Sequence, residues 1–189
     1  MVYVALLRGI NVGGKNKVSM AELKSCLENL GFKNVKTYIA SGNVMFETDV
    51  PADKAAGQIE NILPKQFKLD SSLIKVLVLS RHQLKEVVEK APKGYGQEPD
   101  KYHSDVVFLI GKSSTEAMEQ VETRPGVDKV WPGEGVVYFQ RLSAQLTRSR
   151  INKIASTPIY QFMTLRTWNT AKKLASLMEE SATRPDQTS

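Results

Sequence analysis

A chain of 189 residues with 41% hydrophobic and 24% charged residues has ordinary globular composition and enough length to bury a core. That excludes a wholly disordered, fibrous or collagen-like protein. Its longest apolar runs, such as Val76–Leu79 and Val106–Ile110, fall far short of the ~20 residues that cross a bilayer. The formal net charge is +6, and one cysteine with two histidines excludes an intramolecular disulfide and makes a poor metal site.

The first residues, MVYVALLRGI, lack a basic segment ahead of their apolar stretch and a small-residue cleavage site, so they read as a strand rather than a signal peptide. A cytoplasmic protein is expected, with no metal, no cofactor and no membrane partner. Val2–Leu7 is short, apolar and closed by Arg8-Gly9, the pattern of a buried strand. A glycine-rich loop follows to Lys17. Ser19 and Glu22 then form a capping box for a helix with Met20, Leu23, Cys26, Leu27 and Leu30 on one face, ended by Gly31. Cys26 is thus a small core residue. Val35–Ala40 and Val44–Glu47 are strands joined across Ser41-Gly42-Asn43, a hairpin signal. A second helix starts near Ala52 and is kinked or ended by Pro64, and Leu73–Leu79 is a further strand. The order β-α-β-β-α-β is that of a ferredoxin-like unit, a sheet with helices on one face.

Ser80 and Gln83 cap a connecting helix, and residues 92–102 are the clearest break in the chain. The same order then recurs. Asp105–Ile110 is a strand, Ser113 and Glu116 cap a short helix, and Val127–Trp131 and Val136–Gln140 are strands across a Pro132-Gly133-Glu134-Gly135 turn. A helix around Ser149–Ser156, a strand at Phe162–Leu165 and a last helix capped by Thr167 complete it. The expected fold class is α+β, with two tandem ferredoxin-like halves (1–92 and 103–180) packed as one compact protein. An extra C-terminal helix and a frayed tail at 181–189 complete it. The duplication is one of pattern, without a residue-level repeat.

Charge is unevenly placed. Met1–Ala21 carries Arg8, Lys15 and Lys17 and no acid, and Gly135–Met178 carries Arg141, Arg148, Arg150, Lys153, Arg166, Lys172 and Lys173 and no acid. The rest of the chain has 16 basic against 20 acidic residues. All the positive excess therefore lies in two acid-free stretches, the footprint of phosphate or nucleic-acid binding, or of a basic face that keeps the protein soluble.

The glycine loop and the late arginine motifs fall in the same stretches, and each has two readings. Arg8-Gly-Ile-Asn11-Val-Gly13-Gly14-Lys15-Asn-Lys17 lies between a strand and a capped helix, where glycines let backbone N–H groups approach an anion. It has neither P-loop nor dinucleotide-fingerprint spacing. It is equally a crossover loop tied down by Arg8 and Asn11. Asn43 in Ser41-Gly42-Asn43 reads first as turn chemistry. Arg148, Arg150 and Lys153 cannot all face one way on a helix, but Arg150 and Lys153, three apart, can be neighbours on a basic outer face. Ser149 is a helix cap rather than a nucleophile, because no G-x-S-x-G elbow surrounds it. Arg166, just before the last helix, is an anion contact or a tether, and Trp168 is core. His82 and His103 have no carboxylate at a spacing that suggests a general base. Tyr3, Tyr38, Tyr138 and Phe139 sit on strands, where exposed rings would stack on bases.

Leu7–Lys15, Tyr38 with Ser41-Gly42-Asn43-Val44, Arg148-Ser149, Arg166, Trp168-Asn169-Thr170 and Lys173-Leu174 together resemble the bacterial domain of unknown function 1697 family over nearly the whole chain. The resemblance implies a compact α+β protein of two related ferredoxin-like halves and no established activity. Its recurrent positions are Arg8, Gly9, Asn11, Gly13, Gly14, Ser41, Gly42, Asn43, Arg148, Ser149, Arg166, Trp168 and Asn169. The chain departs from the usual family pattern in having Arg150 where Lys is usual, Thr167 between Arg166 and Trp168 where Asn is usual, and Thr147 where Gly is common.

Three functions follow as expectations. The first is a non-catalytic protein binding a phosphate-bearing partner, most simply nucleic acid. Its contacts would come from Arg8, Asn11, Gly13, Gly14, Lys15, Asn43, Arg148, Ser149, Arg150, Arg166 and Asn169, converging on one surface. The second is an enzyme acting on a phosphorylated or anionic small molecule in a pocket between the halves. The third is an interaction module in which the polar motifs lock the fold, with Arg8 and Arg166 buried in hydrogen bonds to backbone carbonyls.

Overall fold

The computed structural model describes residues 1–70 and 74–182. The chain is α+β and divides into two compact units, Met1–Lys85 with the chain from Leu174 onward, and Glu86–Lys173.

In the first unit, β1 (Val2–Arg8), α1 (Met20–Asn29), β2 (Lys33–Tyr38), β3 (Asn43–Glu47), α2 (Ala52–Gln66) and β4 (Lys75–Ser80) follow in order. The sheet runs β2-β3-β1-β4 with every neighbour antiparallel. Alternate residues of one strand share a face. Tyr3, Ala5 and Leu7 of β1, Val44 and Phe46 of β3, and Val76 and Val78 of β4 accordingly meet Leu23 and Leu27 of α1 and Ala55, Ile59 and Leu63 of α2 in one core. Phe32 stacks on Phe46 with ring centroids 4.6 Å apart. The Ser19 hydroxyl accepts from the Glu22 N–H to cap α1, and Cys26 is buried. Pro64 lies inside α2, which continues to Gln66. Pro64 has no N–H to donate, so it removes one i→i−4 bond, and the helix ends within a turn of it. The expected strand start at Leu73 lies outside the described residues, as does most of the C-terminal tail.

The connecting helix α3 (Arg81–Glu89) has the expected reciprocal cap, with Ser80 Oγ accepting from Gln83 N and Gln83 Oε1 from Ser80 N. The second unit contains β5 (Tyr102–Leu109), α4 (Ser114–Met118), β6 (Asp128–Gly133), β7 (Val136–Leu142) and β8 (Met163–Thr167), followed by α5 (Trp168–Ala182). Its sheet runs β6-β7-β5-β8, again antiparallel throughout. The turn between β6 and β7 is only Glu134-Gly135, because the strands continue through Pro132 and Gly133.

The helix expected around 149–156 does not form. Three 3-10 turns, Ser143–Arg148, Ile151–Ser156 and Pro158–Phe162, stand in its place. Ser156 Oγ donates to Lys153 O at 2.8 Å and Thr157 Oγ1 to Ile154 O at 2.7 Å. Such side chains compete for the carbonyls a helix needs, and Pro158 has no N–H to continue one. The turns still do the packing expected of the helix. Ile151, Ile154 and Ile159 cover Val107, Leu109, Val137, Phe139 and Met163 of the sheet, with Ala117 of α4 beside them.

The box at α4 is complete, with Ser113 Oγ accepting from Glu116 N and the Glu116 carboxylate from Ser113 N. These bonds, the backbone one first and Lys112 beside them, hold the Glu116 carboxyl at about 2. A depressed folded value adds stability that is present above the ordinary glutamate range and is lost as pH falls through the folded value. Melting curves taken from pH 5 down to about 2 are therefore expected to fall less steeply for Glu116→Gln than for the native chain. Parallel curves would contradict the cap's role.

Candidate functional site

The first loop is built by its asparagines. Asn11 sits in the left-handed region at φ 53°, which asparagine tolerates better than most residues. Its Oδ1 accepts from Val18 N at 2.8 Å, and its Nδ2 donates to Val18 O at 3.0 Å and to Ala40 O at 2.9 Å. One side chain thus closes the loop on itself and ties it to the β2–β3 hairpin. Asn16 Nδ2 donates to Gly9 O at 2.8 Å, and its Oδ1 accepts from Asp70 N at 2.8 Å. Asn43, with 0% exposure, donates to Tyr38 O and Ser41 Oγ. The carboxamides expected to reach a ligand from Asn11 and Asn43 are therefore occupied inside the protein. Arg8 is half-buried at the end of β1, opposite Lys75 of β4. What the loop exposes is its tip. Val12, Gly13, Gly14 and Lys15 form a tight turn closed by Lys15 N to Val12 O at 3.0 Å, and Lys17 is exposed beyond it.

Arg148 ends the first 3-10 turn, and Ser149 and Arg150 form the bend before the next. The buried Asp128 of β6 clamps this bend, its Oδ2 accepting from Arg150 N at 2.9 Å and from Arg124 N at 2.8 Å. Arg148 and Arg150 are exposed, whereas Ser149 is buried. Its hydroxyl is not available as a nucleophile. Arg166 and Asn169 belong to β8 and the start of α5. Because β6 and β8 are the opposite edges of the sheet, the late basic residues do not form a single cluster. Arg166 does not face solvent either. It is 6% exposed, and its guanidinium donates to Thr164 Oγ1 at 2.9 Å and to Leu165 O at 2.7 Å. Burial pulls its pKa down to about 10, since leaving water disfavours the charged form. This is the carbonyl-bonded, interior arginine of the third expectation.

Three of the four strand aromatics are interior, and Tyr38 is half-buried. Tyr3, Tyr138 and Phe139 are buried, and the Tyr138 hydroxyl donates to Val87 O at 2.7 Å. They offer no surface for bases to stack on.

The second unit has a cleft that the sequence reading did not anticipate. It encloses about 210 Å³ and is lined by Gly96, Pro99, Tyr102, His103, Ser104, Ser143, Thr167, Trp168 and Asn169. The register that sets Thr167 of β8 opposite Asp105 of β5 brings the start of α5 to the start of β5. Thr167 Oγ1 caps α5 by accepting from Thr170 N at 3.3 Å. Gly96 lies against the Trp168 indole, where a Cβ would stand 2.2 Å from Cδ1. Tyr95 meets that ring edge-on, with centroids 5.1 Å apart.

His103 lines this cleft, and its Nε2 is 3.1 Å from Oδ1 of the buried Asp105, whose Oδ2 accepts from Arg141. This corrects the expectation that neither histidine has a carboxylate at a useful spacing. Two residues apart on a strand is the same face. Among the described residues no group of His, Cys, Asp and Glu side chains could hold a metal. No described helix is long and apolar enough to cross a membrane.

No curated protein matches the chain. Among solved structures it is similar to a conserved bacterial protein, SP0830, from Streptococcus pneumoniae, at 26% identity and a TM-score of 0.76, over 94% of this chain and 98% of that one. The model of the protein family of unknown function DUF1697 matches residues 1–138. That span includes the glycine loop and the Ser41-Gly42-Asn43 hairpin, and the chain belongs to this family.

Proposed function

We propose that the protein binds a phosphate-bearing partner, most simply nucleic acid, through the exposed cations of its two acid-free stretches, in the cytoplasm. One observation carries this reading. In these stretches the polar residues that organise the loops turn inward, while Lys15, Lys17, Arg148, Arg150 and Lys173 are left exposed, none of them in an ion pair among the described residues. The contact set is narrower than the sequence suggested. Arg166, Asn11 and Asn43 support the fold, Ser149 is buried, and the lysines and arginines beside them meet the ligand. We also infer that each unit is ferredoxin-like. In both sheets the first and third strands of the unit are central and all neighbours are antiparallel, which supports the β-α-β-β-α-β reading.

Fluorescence anisotropy of labelled single- and double-stranded oligonucleotides tests the binding. Affinity is expected to fall by one or more orders of magnitude between about 50 and 200 mM salt, as counterion release requires for several phosphate contacts. The Arg148→Glu/Arg150→Glu variant is expected to bind weakly at an unchanged melting temperature. No binding at the lower salt would overturn the reading. A second reading, a site for a small anionic molecule, is favoured by the cleft within the second unit.

A further inference from the structure

The cleft of the second unit has a lining that selects a class of ligand. Ser143 and Asn169 supply a hydroxyl and an amide, His103 an imidazole and Tyr102 an aromatic ring, while the Ser104 hydroxyl already accepts from Gln140 and that of Thr167 caps α5. No carboxylate is among the lining residues, which disfavours a cationic ligand. Ammonium groups stand over the Tyr102 and Trp168 rings. Lys129 and Lys101 lie 4.7 and 5.1 Å from the Tyr102 ring centre, and Lys172 lies 5.8 Å from that of Trp168. Lys101 also meets Glu98 at 3.4 Å, whereas Lys129 and Lys172 have no carboxylate partner among the described residues. The buried Asp105 contacts His103 and is shared with Arg141. With Nε2 engaged by Asp105, Nδ1 is the ring nitrogen with which His103 can meet a ligand hydroxyl. The volume, about 210 Å³, is below the roughly 300–1,000 Å³ of sites for drug-sized molecules and suits one compact group.

We propose that this cleft binds a phosphoribosyl-type group, a compact hydroxyl-bearing ring carrying a phosphate. The hydroxyls meet His103, Ser143 and Asn169, the ring lies beside Tyr102, and the phosphate lies toward Lys172 at the α5 end of the cleft. The inference rests on the phosphate-binding reading and names a seat within it. Such a group can come from a free sugar phosphate or from the 5′ end of a nucleic-acid strand.

Isothermal titration calorimetry of the full chain tests it, with ribose 5-phosphate, ribose and inorganic phosphate as probes. Ribose 5-phosphate is expected to bind at least about tenfold more tightly than either of the others. Lys172→Glu and Asn169→Ala are each expected to weaken it by about tenfold or more at an unchanged melting temperature. Ser143→Trp, which fills the cleft, is expected to abolish it. Competition by a 5′-phosphorylated trinucleotide, but not by its 5′-hydroxyl form, would support the proposal and assign the seat to strand ends. Binding of ribose 5-phosphate without such competition would support it and assign the seat to free sugar phosphates. Equal affinity for inorganic phosphate, or binding untouched by the three variants, would overturn it. Absence of ribose 5-phosphate binding while oligonucleotides still bind with a steep salt dependence would overturn the cleft alone. Loss of both would remove the wider reading as well.

Discussion

Replacing Asn11 by alanine is expected to destabilise the protein by about 3–4 kcal/mol, more than any other change in the glycine loop. The side chain makes three hydrogen bonds to backbone groups of Val18 and Ala40. Each lost bond costs roughly 0.5–1.5 kcal/mol, and more where the abandoned group is cut off from water. Alanine must also adopt φ 53°, which adds about 1–2 kcal/mol for a residue without asparagine's local hydrogen bonding. Asn11→Asp separates the parts of this cost. It keeps an acceptor for Val18 N but presents no donor to the two carbonyls, so its loss should approach that of alanine. Lys15→Ala, at the exposed tip of the same loop, should lie within about 0.5 kcal/mol of the native chain. Urea unfolding of the three variants measures this directly. An Asn11→Ala variant as stable as Lys15→Ala would show that the loop is held by something else.

Gly96→Ala is expected to cost about 2–4 kcal/mol and to disturb the cleft. Two terms combine. Gly96 has φ 69°, so alanine there carries a left-handed penalty of about 1–2 kcal/mol. The new methyl would also stand 2.2 Å from Trp168 Cδ1 and 2.3 Å from Nε1. The indole cannot swing away freely, because Tyr95 packs edge-on against it. Overpacking of this kind adds roughly 1–3 kcal/mol. Gly94 supplies the control, with φ 83° and open space where its Cβ would go. Gly94→Ala should therefore show the backbone penalty alone. A Gly96→Ala variant that melts with Gly94→Ala and keeps native tryptophan fluorescence would contradict the close approach of this loop to the indole.

Much of the first unit is legible in the sequence because its signals are local. The apolar run of β1 and the Ser19 cap are each read within a few residues of themselves. So are the Gly31 stop and the hairpin around Ser41-Gly42-Asn43. The caps at Ser80, Ser113 and Thr167 are legible for the same reason. The 3-10 stretch was misread as a helix because Ile151, Ile154 and Ile159 do face a core, while Ser156, Thr157 and Pro158 withhold the helical hydrogen bonds. Residue type told whether a side chain is basic but not which way it faces. Arg150 is exposed on a bend and Arg166 is sealed in the interior, though both stand in the same acid-free stretch.

The cleft was hidden for a different reason. Its walls come from the 92–102 segment, β5, the end of β7 and the start of α5, which only the strand order β7-β5-β8 brings together. The His103–Asp105 contact could have been found. It needed only the period of two that makes alternate residues of a strand neighbours on one face. Asp105's second partner, Arg141, is a cross-strand relation that depends on the β5–β7 register.

The claim that exposed cations bind a phosphate-bearing partner, while the polar motif residues hold the fold, is tested most directly by the salt dependence of oligonucleotide affinity. Anisotropy titrations of the native chain, Arg148→Ala/Arg150→Ala and Arg166→Ala across several salt concentrations give the slope of log K against log salt. Each phosphate contact contributes about 0.7–0.9 to that slope. The exposed pair is expected to lower it by about 1.5–2 with no change in melting. Arg166→Ala is expected to melt early and to keep the native slope while folded. A native slope in the exposed pair, or a slope reduced only by Arg166→Ala, would contradict the account.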